Sequence, residues 1–128
     1  MAAGGPQPIS LDEARAGLTF LPDRTPTTAG HEAFAVVSDY REGGIFVGHW
    51  AGTTEWERHT AGDEIVLVLA GETTIFFLVD GDEPSATLRA GELVVVPEGT
   101  WHRFETPERV ELLSVTPQPT DHSAERPT

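Results

Sequence analysis

The sequence predicts an all-β domain, an antiparallel β-sandwich or small barrel preceded by one short helix. Short runs of β-branched, aliphatic and aromatic residues recur from residue 34 onward, a composition that suits a pleated, half-buried surface. Clusters of Gly, Pro and Asp separate them at intervals of about 8–12 residues, the turn spacing of sandwiches and barrels. No apolar repeat of helical period falls between the runs. At 128 residues the chain has room for one domain of ordinary size, and no internal repeat shows.

Residues 1–9, rich in Gly, Ala and Pro, offer nothing to bury and are expected to be disordered. Ser10 can cap a short helix running to Leu18, with Asp12 and Glu13 in the first turn, where the helix dipole favours acids. Leu11, Ala14 and Leu18 would share one face. Phe20, Leu21 and Pro22 end the helix, and Pro26 and Gly30 mark a loop that completes a segment over 10–31.

The β domain is expected over 32–117. Strands are predicted at 34–37, 44–50, 64–70 and 73–79, the last closed by the hairpin signal Asp80-Gly81-Asp82. Further strands are predicted at 86–88, 93–96, 101–104 and 110–115, with Gly91, Pro97, Gly99 and Pro107 between them. Residues 118–128 are polar and are expected to form a disordered tail.

Composition excludes whole classes of chemistry. Eight basic against 21 acidic residues leave a formal net charge of -13, which repels phosphate backbones and anionic lipid, so neither nucleic acid nor membrane is an expected partner. Every basic residue is an arginine; without lysine there is no Schiff base and no phosphate-loop lysine. With no cysteine, disulfides, thiolate nucleophiles and iron–sulfur clusters are excluded, and a metal must be held by His, Asp or Glu. No serine sits on a nucleophile elbow. The start carries neither a basic stretch nor an apolar core, so a cytoplasmic location is expected.

Two segments carry the candidate chemistry. In Glu57-Arg58-His59, positions 57 and 59 point to the same side of a strand. A tight connection through Gly62 would bring Glu64, on the returning strand, opposite them. The second segment runs from Gly91, turns on Pro97-Glu98-Gly99 and delivers His102. Imidazoles and carboxylates converging in an interior without a basic neighbour are costly unless something positive sits among them. A divalent cation meets that need.

The two segments resemble the cupin motifs. The first reads Gly52, Glu57, His59, Glu64, Gly71 and the second Gly91, Pro97, Gly99, His102. Glu57 stands where the family usually has its first histidine, one residue closer to Gly52, and Thr106 replaces an asparagine that often follows the last histidine. The resemblance implies an antiparallel jelly-roll β-barrel with the site in its mouth. It also implies His59, Glu64 and His102 as metal ligands, with Glu57 in the fourth ligand's place. Two His and one carboxylate form the facial set of non-haem Fe(II) sites, with positions open for substrate or dioxygen; with Glu57 added, Fe, Mn, Ni and Zn all suit the set.

Other readings stand beside these. His59 and His102 could be hydrogen-bonded core histidines, one acting as base in a metal-free isomerase. Glu57 could ligate, serve as a general base, or face water. One of His49 and Trp50 must point inward, and a structural role is expected for His49. His31 and His122 are expected in solvent, Arg58 on the surface, and Trp56, Trp101, Phe76 and Phe104 in the core. Tyr40 lies near neither motif. The expected function is a metal-dependent enzyme (a dioxygenase, isomerase, lyase or relative) acting on a small organic molecule. The alternative is a non-catalytic ligand-binding or sensing module. The resemblance implies a homodimer, and the outer stripe Ile65, Leu67, Leu69 needs cover.

Overall fold

A computed structural model describes residues 5–128; of the expectation for residues 1–9, the part at 1–4 lies outside them, and residues 5–9 are exposed and in neither helix nor strand. Helix α1 (Leu11–Ala16) is capped by Ser10, whose Oγ accepts the Glu13 N–H at 3.2 Å. It stops short of Leu18 and buries no residue, and so brief a helix has little besides its cap to extend it.

The expected loop after the helix contains structure. Strand β1 (Leu21–Arg24) is followed by a 3-10 turn at Gly30–Ala33 that buries Ala33 completely. Strands β2 (Phe34–Tyr40) and β3 (Gly43–Thr53) form an antiparallel pair, and β1 lies parallel to the other part of β3, Leu21 opposite Trp50 and Arg24 opposite Gly52. Four residues are too few to show alternation, and the partner of β1 lies far along the chain, so nothing local marks it as a strand.

The remaining strands are β4 (Trp56–His59), β5 (Glu64–Phe77), β6 (Ser85–Arg89), β7 (Leu93–Val96), β8 (His102–Pro117) and β9 (Thr120–Ser123). Strand β8 is the hub of a single branched sheet, pairing antiparallel with β3, β4 and β5. Strand β5 also carries β6 and β7, and β4 carries β9. The predominantly antiparallel arrangement is consistent with the expected jelly roll.

Strand β5 replaces two predicted strands. The chain bends at Gly71 instead of ending there, with φ +74° and register shifts on either side. A side chain at Gly71 would collide with the Arg109 carbonyl, so glycine is required both by the dihedral and by the close approach of β8. The predicted hairpin is present: Asp80 and Gly81 both have positive φ, and Val79 and Asp82 exchange backbone hydrogen bonds of 2.9 and 3.0 Å, as in a type I′ turn.

The core follows from strand alternation. Val66 and Val68 point inward beside Glu64, against Trp50, Ile75, Val110 and Leu112. Trp50 packs on Phe34 at 5.2 Å and edge-on to Phe104 at 5.9 Å. Each fully buried aliphatic or aromatic side chain contributes about 1.5–3 kcal/mol. Trp56 is buried as expected, the Arg103 guanidinium lies 5.4 Å from its ring and 4.3 Å from that of Phe76, and Trp101 lies under Arg58.

The tail differs most from expectation. Thr120–Ser123 adds a strand to β4, with Arg58 opposite Asp121 and their ion pair at 2.8 Å. Backbone pairing and polar side chains hold this strand, so its sequence has no apolar alternation to read. Among the described residues no helix is long and apolar enough to cross a membrane.

Candidate metal centre

The three central side chains sit at strand ends. His59 closes β4, Glu64 opens β5 and His102 opens β8. All three are buried, with 4%, 6% and 1% of their surface exposed. Strands β4 and β5 do not pair with each other as the predicted hairpin would require; both pair with β8, and His59 meets Glu64 through side chains. The turn at 97–100 stitches the two motifs together. The Gly99 N–H donates to the His59 carbonyl and the Glu98 N–H to Asp63 Oδ1, each at 2.8 Å.

Glu64 Oε1 lies 3.1 Å from His102 Nε2 and 3.3 Å from His59 Nε2. The imidazole centroids are 5.3 Å apart. The far side of each ring is already engaged. His102 Nδ1 is 2.9 Å from the Thr100 carbonyl, which can only accept, so Nδ1 carries the proton. His59 Nδ1 is 2.9 Å from Thr120 Oγ1, whose own proton goes to Gln118 Oε1, so this Nδ1 donates as well. In the neutral form of each ring, Nε2 would turn a lone pair toward the same carboxylate oxygen.

That arrangement is unsatisfied as it stands. His59 Nε2 and Glu64 Oε1 are buried without a hydrogen-bond partner, while Glu64 Oε2 accepts from Thr116 Oγ1 at 2.6 Å. Two imidazole nitrogens and a carboxylate oxygen within 4.8 Å of one another, their outer atoms fixed by hydrogen bonds, are the donors a divalent transition metal takes. The residues present therefore fit such an ion.

The electrostatics show the same demand for positive charge beside Glu64. Burial works against the Glu64 carboxylate, but His102 and His59 at hydrogen-bond distance outweigh it and hold its pKa at about 2. Burial also disfavours a charged His102, yet the adjoining Glu64 carboxylate outweighs that and raises its pKa. The Glu57 carboxyl is pushed up, first by burial and then by the Glu64 charge.

Glu57 stands outside the three-residue cluster but lines the same cavity of about 450 Å³, with a quarter of its side chain exposed. His31 and His122, expected in solvent, are exposed and yet form part of the cavity's rim, His122 Nδ1 lying 2.7 Å from Glu55 Oε1. Trp50, not His49, points into the core; His49 faces outward against Phe20 and accepts from Arg109 Nε at 3.2 Å. Phe34 and Phe46 supply the cavity's aromatic lining. Thr106 is buried against Thr73 at 2.8 Å, in a structural contact.

Sequence reasoning missed Arg24, Thr116 and Thr120. Thr116 left a readable signal, because Ser114 and Thr116 continue the inward-facing positions of Val110 and Leu112 with hydroxyls. Arg24 and Thr120 left none, since both reach the site through strands recognisable only from their partners.

Comparison with known proteins agrees with this architecture. The family model described as cupin domain matches residues 48–116, spanning His59, Glu64 and His102. Protein YdbB of Bacillus subtilis (strain 168), itself uncharacterized, is 31% identical over 85 residues, covering 66% of this chain and 72% of its own length. A cupin-2 domain containing protein from Shewanella frigidimarina superposes with TM-score 0.59 at 25% identity, over 71% of this chain and 85% of that one. Hydroquinone 1,2-dioxygenase from Sphingomonas sp. TTNP3, solved with 4-hydroxybenzoate bound, superposes with TM-score 0.57 at 21% identity, over 70% and 67% of the two chains, a likeness of fold.

Proposed function

Because this chain belongs to the cupin domain family, we propose that it is a metal-dependent enzyme acting on a small organic molecule bound in the cavity beside His59, Glu64 and His102. The observation that carries this reading is the convergence of two imidazole Nε2 atoms on a buried, partly orphaned carboxylate. A bound Fe, Mn, Ni or Zn ion would polarise a substrate oxygen or, if iron, support dioxygen chemistry. His59, Glu64 and His102 would hold it. Glu57, beside the cluster and open to the cavity, moves the proton. Thr120 and Thr100 keep the two rings in the ligating tautomer.

A small-molecule substrate is supported by the cavity volume, which falls within the usual range of ligand pockets, about 300–1,000 Å³. The branched sheet is read as a jelly-roll barrel with this cavity at its mouth. A homodimer is proposed from the outer face, where Ile65 and Leu67 stand opposite Val95 and Leu93; Leu93 and Val95 are about half exposed, and a second copy would cover them. A cytoplasmic setting accords with the absence of cysteine.

Elemental analysis of protein purified without chelator tests the proposal. One equivalent of iron, manganese, nickel or zinc per chain is expected, and dioxygen uptake with candidate substrates then separates oxidative from redox-neutral chemistry. Protein that stays metal-free after incubation with each ion would overturn the enzyme reading in favour of a ligand-binding module.

A further inference from the structure

Arg24 is the most unusual charge in the molecule. Only 7% of it is exposed, it lines the same cavity as Glu57, His59 and Glu64, and its Nε–H is buried without an acceptor. Among the described residues no ion pair includes it. Glu57 and Glu55 act on it only at longer range. Its contacts are aromatic: the guanidinium carbon stands 5.0 Å from the Trp50 ring centroid and 5.7 Å from that of Phe34.

The backbone is shaped to put it there. Asp23, just before it, takes a left-handed φ of 57°, unfavourable for a residue with a side chain. The register of β1 shifts at the same place. Opposite, Gly52 sits at φ +111°, and a Cβ there would strike the Arg24 backbone. A Cβ on Gly30 would strike the guanidinium itself. A buried cation without a direct ion-pair partner is costly, and strained backbone that positions one is a feature of binding sites.

We propose that Arg24 is the anion receptor of this cavity and that the ligand is a small monocarboxylate, its carboxylate taken by the guanidinium and its apolar part lying along Phe34 and Phe46. The guanidinium fork matches a planar carboxylate. Glu55, Glu57 and Glu64 line the same cavity, so one fixed positive charge among acids admits a single negative charge and disfavours phosphate dianions. This names the substrate class for the proposed enzyme and rests on that reading for its catalytic meaning; carboxylate binding itself does not need the metal.

The test is calorimetric titration with two matched pairs, benzoate with benzamide and acetate with acetamide, on metal-loaded and chelator-stripped protein. In at least one pair the carboxylate should bind ten-fold or more tightly than its amide. R24Q should reduce that preference to within two-fold, R24K should keep part of it, and both should retain the metal content of the wild type. The wild-type preference should survive stripping. The proposal is overturned if neither carboxylate outbinds its amide, if R24Q leaves the preference intact, or if stripping abolishes it, which would make the metal the receptor. Should R24Q fail to melt cooperatively, R24K and the stripped wild type decide. Protein that never holds metal but shows an Arg24-dependent preference would remove the enzyme reading and leave this one standing.

Discussion

His59 and Thr120 are joined by a 2.9 Å contact between Nδ1 and Oγ1, so the strand that closes the chain orients a ligand of the candidate metal centre. Removing an outer partner of a ligating histidine typically lowers metal affinity about 10–100-fold. Thr120→Val should therefore weaken metal binding by about ten-fold or more in a chelator-competition titration, with little change in melting temperature. Thr120→Ser, which keeps the hydroxyl, should restore it. Equal affinities in the valine variant and the wild type would show that His59 needs no such support.

His102 is the most deeply enclosed of the three central residues. His102→Ala should abolish metal retention, read as metal per chain after desalting. Glu64→Gln should reduce retention strongly, because an amide replaces the carboxylate of the cluster. Full occupancy in His102→Ala would remove His102 from the ligand set.

Thr116 donates to Glu64 Oε2 at 2.6 Å. Thr116→Val leaves that buried oxygen without its donor, at a cost of about 1–3 kcal/mol. The expected result is a lower urea midpoint in metal-free protein, together with weaker metal binding. A midpoint unchanged from wild type would mean that water or a neighbouring hydroxyl replaces the donor.

Acidity should act oppositely on the metal-free and metal-loaded forms. Without metal, Glu64 is depressed to about 2, so its stabilisation is present above its unfolded value of about 4.3 and is lost as pH falls toward 2. His102 is raised, so its stabilisation is full below its unfolded value of about 6.5 and fades as pH climbs through the raised value. Glu57, also raised, loses stability above about 4.3 in the same sense. Metal-free protein should melt highest in mild acid. Metal binding needs unprotonated imidazoles, so the thermal gain on adding metal should grow from pH 5 to pH 8. A gain independent of pH would contradict ligation by His59 and His102.

Gly71 provides a test of the fold away from the site. Gly71→Ala places a Cβ at φ +74°, against the Arg109 carbonyl. The variant should lose more than about 1 kcal/mol, seen as a fall of several degrees in melting temperature.

Much of the centre was legible because its information is local. His59, Glu64 and His102 lie in segments whose Gly and Pro positions announce the turns, and the alternation of Val66 and Val68 sets which way Glu64 points. The all-β class is visible for the same reason, since apolar runs and turn residues need no knowledge of their partners. Of the expectations that failed, two show how local rules can be silent or misleading. Gly71 reads as a strand end but is a bend, because the close approach of β8 selects glycine there. Residues 118–128 read as a polar tail, yet β9 pairs with β4 through backbone bonds and one ion pair.

Residue types and their spacing along the chain were enough to specify the all-β class, the two segments that carry His59, Glu64 and His102, and the exclusion of thiol and lysine chemistry. The tertiary fold settled that Trp50 rather than His49 enters the core, that Thr120 supports His59, and that Arg24 lies buried in the cavity. The physical reason is common to all three. Strand pairing joins residues distant in sequence through uniform backbone hydrogen bonds, so the choice of partner rests on the packing of the whole sheet.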